Sequence, residues 1–74
     1  MGKLTLSPRE VEIMRLICKS NPEIANKLNI SLRWVKVLIT KIMRKLNARN
    51  RTEALAKAAQ KGYVNIFDII VSED

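Results

Sequence analysis

The side chains best suited to chemistry in this 74-residue chain are cations spaced along one stretch, residues 31–47. At 100° per residue, a helix over this stretch gathers Arg33, Val37, Thr40 and Arg44 on one face, with Lys36 on one edge and Lys41 and Trp34 on the other. No Asp or Glu interrupts the run. Cations, one hydroxyl and one isolated methyl-bearing side chain suit a DNA major groove, where charge meets phosphate and short side chains meet base edges. An ordinary solvated cationic face is the alternative reading of the same pattern. The opposite face is apolar: Val35, Ile39, Ile42, Met43 and Leu46 recur at i, i+4, i+7, i+8 and i+11, a stripe that asks for a core.

Other chemistries lack their parts. With no His and one Cys, neither a zinc ligand set nor a disulfide framework is expected, and no metal or cofactor is assigned. The few carboxylates do not cluster as an acid/base pair, so no catalytic residue is named and the chain is read as not an enzyme. Cys18 continues the apolar spacing of the first helix and reads as a small buried hydrophobe.

Charge points to the partner. The net charge of +7 is unevenly spread: from Lys27 to Lys61, ten Lys and Arg stand against one acid, Glu53, for a net +9, while the tail is acidic. A basic block on a compact domain predicts an anionic partner, nucleic acid or membrane. Membrane is the weaker choice, because no run approaches the ~18 apolar residues of a spanning helix and no signal peptide opens the chain. A cytoplasmic location is expected. Lys27, Arg49 and Arg51 belong to the same block and join the candidate DNA contacts.

The elements that must hold this face in place are short helices, in a chain near the lower size limit for a self-sufficient core. Ser7-Pro8-Arg9-Glu10 is a capping box with proline in the first turn, and Val11, Met14, Ile17 and Cys18 carry helix 1 to about Lys19. Asn21-Pro22-Glu23 starts a second helix, Pro22 to Leu28, with Ile24, Ala25 and Leu28 inward. Asn29 suits a left-handed turn, Ile30 plugs the corner and Ser31 caps the long cationic helix. Asn50 and Glu53 cap a fourth, from Arg51 to Lys61, with Leu55, Ala58 and Ala59 inward and Gly62 ending it. Short helix, tight turn, long helix is helix-turn-helix grammar, although an ordinary helical hairpin carries the same turn. The fold class is therefore all-α: a four-helix helix-turn-helix domain over residues 1–64, with residues 65–74 as an apolar extension.

The series Leu4-Thr5, Ser7-Pro8-Arg9-Glu10, Glu23-Ile24-Ala25, Leu28, Ile30-Ser31, Val35-Lys36, Lys45-Leu46 and Asn50-Arg51-Thr52-Glu53-Ala54 resembles the LuxR/GerE-type helix-turn-helix domain over about Leu4 to Val64. The resemblance implies a DNA-binding domain with helix 3 in the major groove and helix 4 available for dimerisation on paired half-sites. The departures are equally specific. The link Lys19-Ser20-Asn21 is shorter than the family's glycine-containing one, so helix 1 must exit more tightly or earlier. Trp34 replaces the family's usual Thr and Leu38 its His, which leaves Trp34 open between DNA contact and partial packing and makes Leu38 a core residue.

In the tail, Tyr63, Ile66, Phe67 and Ile70 sit at i, i+3, i+4 and i+7 with Asn65 as a cap, which fits a short fifth helix; a β-branched-rich strand is the rival. This much apolar surface calls for cover, from a twin as part of a homodimer, from another protein, or from the domain itself. Two functions remain open. One is a sequence-specific DNA-binding transcription regulator. The other is a protein-interaction module of the transcription machinery, because the Val-Lys and Lys-Ile-Met-Arg-Lys-Leu segments also resemble the DNA-binding region of sigma factors.

Overall fold

The structure, a computed structural model, describes residues 5–71, without the side chains of Asp68, Ile70 and Val71. Leu4, which opens the series that resembles the LuxR/GerE-type domain, lies outside the described residues. Five helices follow one another: α1 (Pro8–Arg15), α2 (Asn21–Leu28), α3 (Leu32–Leu46), α4 (Arg51–Gln60) and α5 (Ile66–Val71). The rival strand in the tail is thus replaced by a helix, which Asn65 starts by accepting from the Phe67 N–H at 2.9 Å.

The helix α3 is the centre, packed against α1, α2 and α4. It contributes Val35, Leu38, Ile39, Ile42 and Leu46 to a single buried cluster that also holds Leu6, Ile13, Met14, Ile17, Ile24, Ala25, Ala54 and Ala58. Leu38 is core, as expected. Of the inward residues expected on α4, Ala58 is fully buried and Leu55 and Ala59 are half-buried, while Ala54 takes the second buried place. With only a methyl at each of these two positions, α4 can lie close to its neighbours.

Local signals fix the starts. Ser7 and Glu10 complete the capping box, Ser31 accepts from the Trp34 N–H at 3.0 Å, and Asn50 accepts from the Glu53 N–H at 2.8 Å. One start moves: Ser20, not Asn21, caps α2, which puts Pro22 at the second helical position and leaves the Asn21 side chain for another task. Asn29, Asn47 and Gly62 all take left-handed backbone conformations at the ends of α2, α3 and α4.

Two expectations for α1 fail together. The helix stops at Arg15 rather than near Lys19, and the chain turns on tighter bonds, from the Leu16, Ile17 and Lys19 N–H groups to the carbonyls three residues before each. The earlier exit agrees with the shortened link. It also breaks the 3.6-residue period that would have placed Cys18 beneath Met14, so Ile17 is buried and Cys18 is exposed.

A buried carboxylate ties the N-terminal arm and α1 to α3. Glu10 is 3% exposed, and its Oε1 accepts from the Ser7 N–H and from Lys45 Nζ, both at 2.8 Å. Lys45 also donates to the Thr5 carbonyl at 3.1 Å. Burial pushes the Glu10 carboxyl up, but the hydrogen bond from Lys45, then those from Ser7 and the Lys45 charge, outweigh it and hold the group below its ordinary 4.5. A lowered folded-state pKa gives stability that is present above about pH 4.5 and lost as pH falls through the folded value. Thermal midpoints should therefore drop between about pH 5 and 3, and Glu10→Gln should be less stable at neutral pH with a flatter profile through that window. Equal slopes for the two proteins would remove Glu10 from the acid response.

Candidate nucleic-acid interface

The outward side of α3 follows directly from its inward one. With Val35, Leu38, Ile39, Ile42 and Leu46 held in the core, the helix period leaves Arg33, Trp34, Lys36, Val37, Thr40, Lys41 and Arg44 exposed, and all seven are. The ion pairs among the described residues are Arg9–Glu12 and Lys45–Glu10, so the four cations on this face carry their charge outward. Lys27, in the last turn of α2, and Arg49, between α3 and α4, are exposed as well.

The details give the face a chemical character. The Thr40 hydroxyl donates to the Lys36 carbonyl at 3.0 Å, so toward solvent it offers acceptor lone pairs and a methyl group. Val37 is 38% exposed and Trp34 44% exposed, and Lys41 Nζ lies 6.0 Å from the centre of the indole ring, within reach of a cation–π contact. Trp34 is therefore a surface residue on the flank of the basic face. An open groove of about 730 Å³ joins Lys36 and Leu32 of α3 to Ser20, Asn21 and Pro22 at the start of α2. The positive end of the α2 dipole and the Lys36 ammonium thus border one concavity. A second groove of about 370 Å³ carries Thr40 and Arg44 at the other end of α3.

Arg51 has a different setting. Its guanidinium donates to the Asn21 Oδ1, to the Ile17 carbonyl at 2.9 Å and to the Lys19 carbonyl at 2.8 Å. It pins the loop after α1 and the first turn of α2 to the start of α4. Two further cations in the basic block also turn inward: Lys45 to Glu10, and Lys57, whose Nζ donates to the Asn47 carbonyl at 2.8 Å at the end of α3. Sequence reasoning did not find these three roles. Their partners lie 35, 10 and about 30 residues away, beyond the reach of helical spacing.

The tail candidates divide. Tyr63 packs on its own core, where its hydroxyl accepts from the Leu6 N–H at 3.3 Å, and Ile66 is half-buried. Phe67 is 72% exposed. The Ile70 side chain lies outside the described residues.

Residues 4–58 match the luxR family of bacterial regulatory proteins, also known as GerE. The chain belongs to this family. It is 43% identical over 61 residues to the uncharacterized transcriptional regulatory protein YvfU of Bacillus subtilis, covering 80% of this chain and 30% of that protein. It is 41% identical over 63 residues to the transcriptional regulatory protein LiaR of the same organism, covering 82% and 30%. The oxygen regulatory protein NreC of Staphylococcus carnosus is 45% identical over 58 residues, 76% of this chain and 27% of that protein. The chain thus spans under a third of the length of these relatives. No solved structure matches it significantly. The family match ends at residue 58, so the Gly62 turn and α5 lie past it.

The Arg51 setting yields a direct test. Arg51→Ala leaves two carbonyls and one amide oxygen without their charged donor and should cost roughly 1.5–3 kcal/mol in urea unfolding. Arg51→Lys should recover little, since one ammonium cannot reproduce the planar fork. An unchanged urea midpoint would show that the guanidinium is free for other work.

Proposed function

We propose that this chain is the DNA-binding part of a transcription regulator, laying α3 in the major groove of double-stranded DNA. The observation that carries the reading is the outward face of α3: acid-free, fourfold cationic and opposite a fully packed stripe. Its membership of the luxR family supports the same conclusion. Arg33, Lys41 and Arg44, with Lys27 and Arg49, position the domain through phosphates. Lys36, Val37 and Thr40 face base edges, where Thr40 suits an adenine or cytosine amino group and Val37 a thymine methyl. Arg51 is left to its intramolecular bonds. Such a protein acts where the chromosome is, in the cytoplasm, and no described helix is long and apolar enough to cross a membrane.

Binding should be steeply salt-dependent: with about six phosphates neutralised, log K should fall with log salt at a slope near −5. Lys36→Ala should weaken binding with little change in melting temperature, whereas Ile39→Ala should cost roughly 2–5 kcal/mol of stability by leaving a core cavity. A flat salt dependence, or Lys36→Ala as destabilising as Ile39→Ala, would sink the assignment.

Two copies pair through the α4–α5 side to read paired half-sites, with Phe67 at the contact. Its exposure supports this, and isologous contact is the simplest closed arrangement. Phe67→Ser should lower self-association and affinity for a paired site while sparing single half-site binding and the urea midpoint. A different protein partner at Phe67 is the second reading, favoured by the same exposure; unchanged self-association in Phe67→Ser would select it.

A further inference from the structure

Among the described residues, the exposed large apolar side chains are Leu32, Trp34, Val37 and Phe67, and three of the four lie on α3. Trp34 and Val37 are three residues apart and Lys41 four further on, so the three form one ridge along the flank of the cationic face. An indole in this position is not explained by the core, which is complete without it. Its backbone is fixed, because its own N–H is the one that Ser31 caps at 3.0 Å. Its ring has Lys41 Nζ over it at 6.0 Å, and 44% of the residue remains open to an incoming surface.

We propose that Trp34 is a specificity-determining residue which, with Val37, forms an apolar notch for the 5-methyl group of a thymine. The proposal rests on the DNA-binding reading above. Trp34 lies in the first turn of α3, the end of a recognition helix that reaches base edges. The major groove offers an apolar side chain one matching group, the thymine methyl. A tryptophan brings a broad, rigid surface to it with only two side-chain torsions to immobilise.

Trp34 is the single tryptophan of the chain, so indole emission reports on it alone. The duplex recovered by selection from random DNA would be fluorescein-labelled and compared with the same duplex carrying deoxyuridine for thymine, with binding read by fluorescein anisotropy. The wild-type chain should bind the thymine duplex roughly fivefold more tightly, the low end of what one mismatched pair costs. Trp34→Ala should lose most of that ratio and Trp34→Phe should keep it; comparing variants on the same two duplexes cancels any effect of the methyl groups on the DNA itself. Acrylamide should quench the indole less in the complex than in the free chain. The proposal is overturned if anisotropy reports binding while the ratio is unaltered in Trp34→Ala, or while the indole stays as accessible as before. If no duplex raises the anisotropy, the DNA-binding reading fails and takes this one with it.

Discussion

Everything in this domain depends on keeping one side of α3 dry. Five of its side chains enter the core, and three other helices pack against it. In a chain this short the apolar area is small, and burial of side chains such as Val35 and Ile42 contributes roughly 1.5–3 kcal/mol each. Fixing that stripe fixes the rotation of the helix about its axis. Rotation, in turn, decides which residues meet a partner: turning α3 by one residue would bury Lys36 and expose Val35. The same packing that stabilises the fold therefore aims the cationic face.

Charge in the basic block is of two kinds, and net charge does not distinguish them. Lys45, Arg51 and Lys57 donate to acceptors within the domain, each joining segments that sequence separates. Arg33, Lys36, Lys41 and Arg44 point outward. The inward set is what holds the loop before α2 against the start of α4, and the N-terminal arm against the end of α3. The outward set acts only because those attachments exist, since a basic helix free to roll would present an average of its faces. Among the described residues every buried side-chain nitrogen or oxygen has a hydrogen-bond partner, so the inward charges leave no uncompensated polar cost.

What was legible in the sequence was what neighbouring residues settle among themselves. The capping residues Ser7, Ser31 and Asn50, the stripe of α3 and the left-handed Asn29 and Gly62 all act within a few positions. The face of α3 was legible for the same reason, being the complement of a stripe. Cys18 is exposed because its burial requires helix 1 to continue, and the short link to α2 ends the helix first. Arg51 looked like one more surface cation, because the carbonyls that engage it belong to a loop about thirty residues earlier. Long-range polar contacts have no period, and a single chain gives no local sign of them.

The three helix ends show how a few residues can set the whole geometry. After left-handed Asn29, Asn47 and Gly62, the next residue in each case is Ile30, Ala48 or Tyr63, and its N–H returns to a carbonyl five residues back, at 3.0, 2.9 and 2.9 Å. Each of those following residues is partly buried against the core. The bond and the apolar contact therefore act together: the left-handed turn reverses the chain, and the side chain after it plugs the corner from inside. At Asn29 this turn orients α3 against α2. At Asn47 it is reinforced by Lys57, which donates to the Asn47 carbonyl and so links the end of α3 to the last turn of α4. At Gly62, where φ is +85°, it sends the chain to Tyr63, whose hydroxyl receives the Leu6 N–H. One stop, used three times, places α3, then α4, then the tail, and the last of the three returns the chain to the arm from which it began.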